Sequence, residues 1–236
     1  MSKVDTILQR SDMEISRTPR ALCDWVDSKI LALSETDDGK RYARSGKLLP
    51  KKLYEEIRPL GLFTLHRYGS RGDVKCTPNL NNENYDGRID FEDTSIPSIY
   101  VEITYAKDGY DESLRLEVLG AKGSVNALGR ISTSGKKASG RRTIDVENEA
   151  VNLEVTQCNA LKILQQRIVS KSNKTYGPNH ILVIVIDDYL SFRTKADQEI
   201  LVEYAKSIVD SVKLNFGEVF LLGASGDYLS PVYGEI

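Results

Sequence analysis

The chain has 236 residues, of which 40% are hydrophobic and 28% are charged, and its formal net charge is −2. Such a chain is long enough to bury a core without disulfides or structural metals. The longest apolar run, Ile181 to Ile186, is too short to cross a bilayer, and no signal-peptide pattern opens the chain. Membrane-spanning and exported classes are therefore disfavoured, and we expect a cytoplasmic protein.

The residues available for metal binding are mostly carboxylates. There are 3 cysteines, widely separated at positions 23, 76 and 158, and only 2 histidines. Cysteines that are odd in number and widely spaced indicate free thiols in a reducing compartment, not a zinc site or a disulfide framework. A bound metal would have to use Asp and Glu oxygens, which favours Mg²⁺ or Mn²⁺.

Helices are predicted in the N-terminal part of the chain. Thr18-Pro19 is typical of an N-cap followed by proline at the first helical position. A second helix is predicted over Pro50 to Leu60, with Glu56 at the border of its apolar face. We expect residues 1–49 to form a helical segment packed on an α/β domain of residues 50–236.

The rest of the chain predicts alternating strands and helices. Residues 69–84 are predicted as a loop, and the glycine- and lysine-rich residues 120–142 as a mobile loop. The predicted elements are strands over about 85–92 and 98–106, a helix over about 147–172, a strand over 180–187, a helix over 196–213 and a strand over 218–223. This order predicts an α/β fold with a mixed central sheet flanked by helices.

Two carboxylates occupy notable positions in the predicted hairpin. Asp86 opens its first strand, and Glu102 interrupts the apolar second strand. Because strand side chains alternate, Tyr100, Glu102 and Thr104 share one face. Adjacent strands can bring Asp86 and Glu102 together as ligands of one Mg²⁺. A solvent-facing hairpin explains the same residues equally well, so spacing alone leaves both interpretations open.

Positive charge is concentrated between Gly120 and Arg142, where there are six Lys and Arg residues and no Asp or Glu. Such runs are commonly solvated surface loops. Beside an acidic metal site, the same loop is suited to contact phosphate groups. The nucleic-acid-binding residues expected on this basis are Lys136, Lys137, Arg141 and Arg142.

The hairpin, with the helix and strand that follow it, resembles the PD-(D/E)xK, or restriction-endonuclease-like, nuclease superfamily. Tyr85-Asp86 stands for the Pro-Asp element and Glu102-Ile103-Thr104 for the (D/E)xK triplet. The resemblance covers roughly Asp86 to Asp188. It implies a restriction-endonuclease-like core and divalent-metal-dependent cleavage of DNA, with Asp86 and Glu102 holding Mg²⁺ or Mn²⁺. Thr104 departs from the family lysine and cannot supply its positive charge.

The superfamily often places a helper Gln, Glu or Lys on the helix after the triplet, and Gln157 and Lys171 resemble such helpers. Gln157 lies on the apolar stripe of the predicted helix and Lys171 at its edge. Polar groups facing a core need partners, although a lysine near a helix end is also favoured by the helix dipole alone. We expect Lys171 to supply the missing charge, with Gln157 assisting and Thr104 contributing a hydrogen bond.

The sequence therefore predicts a magnesium-dependent endodeoxyribonuclease whose partner is the phosphate backbone of DNA. One alternative is a catalytically inactive nucleic-acid-binding module on the same fold. Another is an unrelated α/β enzyme or interaction protein whose hairpin carboxylates face solvent. No membrane partner is expected, and a homodimer is left open.

Overall fold

The computed structural model describes residues 6–127, 129–135, 142–147, 152–189 and 191–234. The N-terminal helical elements are α1 (Arg10–Met13), α2 (Pro19–Ser34), α3 (Asp37–Ala43), α4 (Leu48–Lys52), a π-helical turn (Leu53–Ile57) and α5 (Arg58–Tyr68). The later helices are α6 (Gly109–Lys122), α7 (Leu153–Ser172) and α8 (Lys195–Ser211). None of the described helices is long and apolar enough to cross a membrane.

The strands form one large sheet and one small one. They are β1 (Val74–Pro78), β2 (Gly87–Phe91), β3 (Ile99–Tyr105), β4 (Ile131–Ser134), β5 (Thr143–Val146), β6 (His180–Ile186), β7 (Glu218–Gly223) and β8 (Leu229–Tyr233). The large sheet has the order β1-β2-β3-β6-β7-β8, with β3, β6 and β7 parallel and the other neighbours antiparallel. The predicted α/β class, a mixed sheet flanked by helices, is confirmed.

The large sheet separates two hydrophobic layers. Alternate residues of β6 enter different layers, with Val183 packed on the α2 and α5 side and Leu182 on the α7 and α8 side. Leu22 of α2 and Phe63 of α5 are buried in the same layer. Helix α2 therefore shares with α5 the apolar layer that covers this side of the sheet. Burial of each such side chain contributes about 1.5–3 kcal/mol.

Helix starts follow local capping chemistry. The Thr18 hydroxyl accepts a hydrogen bond from the backbone N of Ala21 at 3.4 Å, and Pro19 is the first residue of α2, as predicted. Helix α7 begins at Leu153, whereas the predicted helix began at about residue 147. The Asn152 side chain caps the helix by accepting a hydrogen bond from the backbone N of Glu154 at 2.8 Å. Predicted helix residues 148–151 lie outside the described residues.

Four strands, β1, β4, β5 and β8, were not predicted, and neither was helix α6. The predicted loop 69–84 contains β1, and β8 was also missed, because both are short edge strands with too few alternating apolar residues to give a clear pattern. The predicted loop 120–142 was wrong in part: it contains the end of α6 and strand β4. Three of the four β4 residues are exposed, so the β4–β5 pair lacks an apolar pattern. Residues 136–141 lie outside the described part of the chain.

Gly87→Ala should destabilise the protein, because β2 and α5 come into close contact at this glycine. A Cβ at Gly87 would overlap the side chain of Leu60, which is 0% exposed. Leu60 would have to leave its packing position, at a cost of about 1–3 kcal/mol. Urea unfolding measures the loss. Gly72→Ala is the control, since a Cβ there meets open space, and its stability should stay level or rise slightly. Equal unfolding midpoints for the two variants would contradict this account.

Candidate functional site

The candidate site forms where β2 separates from β3. The pairing of β2 with β3 ends at Val101, and Asp86 continues the contact beyond that point. Its backbone N donates to the Val101 carbonyl at 2.8 Å, and its Oδ2 accepts from the backbone N of Ile103 at 2.8 Å. The Asp86 side chain thus replaces a missing strand partner, and this fixes a carboxylate beside Glu102.

Glu102 lies on the face of β3 that is covered by α7, and only 8% of it is exposed. Lys171 Nζ forms an ion pair with Glu102 Oε1, and the Lys171 side chain is 12% exposed. Lys171 reaches this face because α7 packs through Leu164 and Ile168, and a residue three positions after Ile168 lies on the same side of the helix. The sequence prediction placed Lys171 on this edge of the apolar stripe, and the structure brings it to Glu102.

Burial sets the electrostatics of Glu102. Desolvation raises the pKa of the Glu102 carboxyl, the Lys171 ammonium opposes that rise, and the Asp86 charge adds to it. Lys174, on the loop after α7, also favours the ionised form of Glu102. The net direction of the pKa is upward. Asp86 and Glu102 are therefore close enough to repel each other across a poorly solvated region, where charge interactions are strong.

Glu56 is a third carboxylate of this region, which the sequence analysis placed only at the border of a helix face. It lies in the π-helical turn, an element often found at functional sites. Lys52 forms an ion pair with it. Burial and the neighbouring Asp86 charge raise the pKa of Glu56 to about 7, although Lys52 opposes the rise. In the sequence, Glu56 was recognisable only as a glutamate at the edge of the apolar face of a predicted helix. That position did not indicate that its side chain would lie near Asp86.

Tyr176 borders the same cluster and was not predicted. Its ring stacks on Phe216 with a centroid distance of 4.0 Å. The hydroxyl is buried near the Glu102 carboxylate without forming a well-aligned hydrogen bond. Burial and the Glu102 charge raise the pKa of Tyr176, so the hydroxyl keeps its proton and is a potential donor to the cluster.

Gln157 does not join the cluster. Its side-chain amide donates to the Ser191 carbonyl at 2.6 Å and to Asp197 Oδ1 at 3.1 Å. Gln157 and Lys171 are 14 residues apart on one helix, which corresponds to about 21 Å along its axis. Gln157 therefore connects α7 to the start of α8, away from the carboxylates.

The other candidate residues occupy different surroundings. Thr104 is half-buried two residues after Glu102 on β3 and lines a groove described below. Arg142 forms an ion pair with Glu117 of α6. Lys136, Lys137 and Arg141 lie outside the described residues. The structure thus groups Asp86, Glu102 and Lys171, and it adds Glu56 with its partner Lys52.

The oxygen donors of this cluster are the carboxylates of Asp86, Glu102 and Glu56. Within the described ranges, no three or more His, Cys, Asp and Glu side chains are gathered into a group that could hold a metal ion. Asp86 and Glu102 supply two carboxylates, and Mg²⁺ commonly takes one or two from a protein, completing its shell with phosphate and water. Burial and Asp86 disfavour the ionised forms of Glu56 and Glu102, which a cation would relieve. The two carboxylates are therefore of the donor type that Mg²⁺ and Mn²⁺ accept.

Comparison of the chain with protein-family models, with curated proteins and with solved structures found no match in any of the three. Any chemistry assigned to this site therefore depends on its own geometry.

Glu56→Gln should change how stability depends on pH in the absence of divalent cations. The ordinary pKa of 4.5 rises to about 7 in the folded chain, so the folded state holds this proton more tightly than the unfolded state. That contribution to stability is complete below about pH 4.5 and is lost as the pH rises through about 7. The neutral amide should remove this loss and stabilise the protein above pH 7 by about 1–2 kcal/mol, after allowance for solvent screening.

Chemical unfolding from pH 4.5 to 8 measures this effect. Glu203→Gln, at an exposed position on α8, is the matched control and should keep the wild-type pH profile. If Glu56→Gln also kept that profile, the proposed repulsion between Glu56 and Asp86 would be wrong.

Proposed function

We propose that this chain is a divalent-metal-dependent nuclease that hydrolyses phosphodiester bonds of DNA and has a restriction-endonuclease-like core. The observation that carries the proposal is the buried ion pair between Lys171 and Glu102, next to Asp86. It brings a cation to Glu102, in a triplet whose lysine is replaced by Thr104. The order β2, β3, α7, β6 also fits the resemblance, with α6 and the β4–β5 pair inserted between β3 and α7.

Asp86 and Glu102 would hold Mg²⁺ or Mn²⁺ in this proposal. The cation would lower the pKa of a bound water and neutralise charge on the phosphate. The hydrogen bond from the Ile103 backbone N orients the Asp86 carboxylate, and packing of α7 orients Glu102 through Lys171. Both ligands are thus held in place before substrate arrives, which lowers the cost of reorganisation.

Lys171 and Glu56 would act on charge and protons. The Lys171 ammonium can favour the developing negative charge on a phosphate beside Glu102, because charge interactions are strong in a poorly solvated site. Glu56, with a pKa of about 7, can hold or release a proton near neutral pH at its carboxyl oxygens, as a general acid or base must. Thr104 would contribute a hydrogen bond only.

A non-catalytic nucleic-acid-binding module is the second candidate. The observation favouring it is the same ion pair, because Lys171 neutralises Glu102 and reduces the pull of that carboxylate on a cation. In this case Lys171 would be a structural replacement for the metal. Metal binding and cleavage separate the two candidates.

Millimolar Mg²⁺ or Mn²⁺ should raise the melting temperature, because a ligand that binds only the folded state stabilises it. With a Kd of about 1 mM, 10 mM cation would add about 1.4 kcal/mol, or about 3–6 °C for a chain of this size. Glu102→Gln should abolish the shift, whereas Glu203→Gln should retain it. Differential scanning calorimetry with and without EDTA gives the comparison. Equal shifts in the wild type and Glu102→Gln would exclude Glu102 as a ligand.

Lys171→Met should reduce cleavage by roughly a hundredfold or more, the scale for removing one preorganised charge-stabilising donor. DNA affinity in EDTA should stay unchanged, since the loss is confined to the transition state. Lys162→Met, an exposed lysine on the same helix, is the control. Single-turnover cleavage of labelled DNA is the measurement, and Thr104→Lys in the Lys171→Met background should restore part of the rate. If the wild type binds DNA but shows no cleavage with either cation, the binding module is the correct function.

A further inference from the structure

A large groove runs beside the candidate site, between the N-terminal helices and α6. Its volume is about 1560 Å³. Residues from α3, α4 and the π-helical turn form one wall, and residues from α6 form the other. Ile103 and Thr104, at the end of β3, lie in its lining together with Glu56. A molecule bound along the groove would therefore pass the Glu56 side of the carboxylate cluster.

The groove is positively charged, although the chain as a whole is slightly acidic. Eight Lys and Arg residues line it, against four Glu residues, whereas the whole chain has 32 Lys and Arg and 34 Asp and Glu. The cations come from separate segments, as Arg41 of α3, Lys51 of α4 and Arg167 of α7 show. A polyanion is the ligand that matches such a surplus of positive charge from several segments of the chain.

The exposed cations of the groove are available to a ligand. The side chains of Arg41 and Lys51 are 70% and 59% exposed, and their ion pairs with Asp38 and Glu55 are solvent-accessible. Ion pairs of this kind contribute little to stability. Exchange of their carboxylate partners for phosphate groups would therefore cost little, and counterion release would favour it.

Two exposed tyrosines line the same groove. Tyr110, at the start of α6, is 60% exposed, and Tyr189, after β6, is 58% exposed. Large aromatic side chains that remain this exposed offer flat surfaces on which bases can stack. Bases of a duplex are already stacked on each other and are not free to do so, whereas those of a single strand are.

We propose that this groove binds single-stranded DNA, with Arg41 and Lys51 contacting phosphates and Tyr110 and Tyr189 stacking on bases. The inference rests on the proposed nuclease function for its choice of polyanion, and it extends that function to the form of the substrate. The strand would pass Glu56, which lines the groove and neighbours Asp86. It also gives the N-terminal helices a role in substrate binding, since they supply one wall of the groove.

Binding is measured by fluorescence anisotropy in EDTA, with labelled dT20 and a 20-base-pair duplex, over a series of salt concentrations. EDTA removes cleavage, so the test of the groove is independent of the test of catalysis. The wild type should bind dT20 at least tenfold more tightly than the duplex. Arg41→Ala with Lys51→Ala should make the slope of log affinity against log salt shallower by about 1.4, corresponding to about 0.7 for each lost phosphate contact.

Tyr110→Ala with Tyr189→Ala should weaken dT20 binding by roughly tenfold or more, because each stacked base contributes about 1–3 kcal/mol. Tyr110→Phe with Tyr189→Phe keeps the rings and should keep most of the affinity. The controls are Lys195→Ala with Lys206→Ala, two exposed lysines of α8 on the other face of the sheet, and Tyr233→Ala on β8. Melting temperatures establish that every variant is folded.

Several results would overturn the proposal. These are equal loss of affinity in the groove and control variants, duplex binding as tight as that of dT20, or no dependence on the tyrosine rings. Cleavage of DNA by a protein whose groove variants bind normally would reject the groove and keep the nuclease. Ring-dependent dT20 binding by a protein that never cleaves would reject the nuclease and keep the groove.

Discussion

The ion pair between Lys171 and Glu102 constrains much of this structure, because it brings two charges into the interface between the sheet and α7. A buried carboxylate without a partner costs several kcal/mol. Glu102 can remain ionised under α7 because Lys171 reaches it from across that interface. This requires α7 to lie over β3 in one register, which the packing of Leu164 and Ile168 provides. The position of α7 and the charge of Glu102 therefore depend on each other.

The carboxylates lie where the backbone pairing of β2 with β3 ends and side-chain hydrogen bonds replace it. β2 leaves β3 after Val101, and the widened π-helical turn lies on the neighbouring side. Both irregularities admit polar groups next to strands that are otherwise apolar. Helix α6, inserted between β3 and α7, adds a wall beyond this point. The regular part of the sheet therefore supports the carboxylate cluster, and the departures from regularity make room for its polar side chains.

The sequence predicted the elements in which a strong apolar pattern determines the structure. β3, β6 and β7 follow from dense apolar runs, and Asp86 and Glu102 were recognisable because they are polar residues beside or within such runs. The edge strands β1 and β8 are short and gave no comparable pattern. Which residues share a helix face could be predicted, but which of them lie near the site could not. Gln157 and Lys171 share a stripe, yet the distance along the axis separates them. Glu56 lies in a π-helical turn. The spacing of apolar side chains does not reveal such a turn, so the position of Glu56 next to Asp86 could not be predicted.

Asp86 belongs both to the sheet and to the site, and this has an evolutionary consequence. Its carboxylate satisfies the backbone N of Ile103 where no strand does so, so selection for folding alone would preserve it. If the chain has the proposed activity, a descendant that lost this activity would still retain Asp86 for this reason. Glu56 differs from Asp86, because burial and the Asp86 charge disfavour its ionised form even though Lys52 opposes this effect. Under the proposed function, loss of Glu56 with retention of Asp86 would therefore mark lineages that keep the fold and lose the activity.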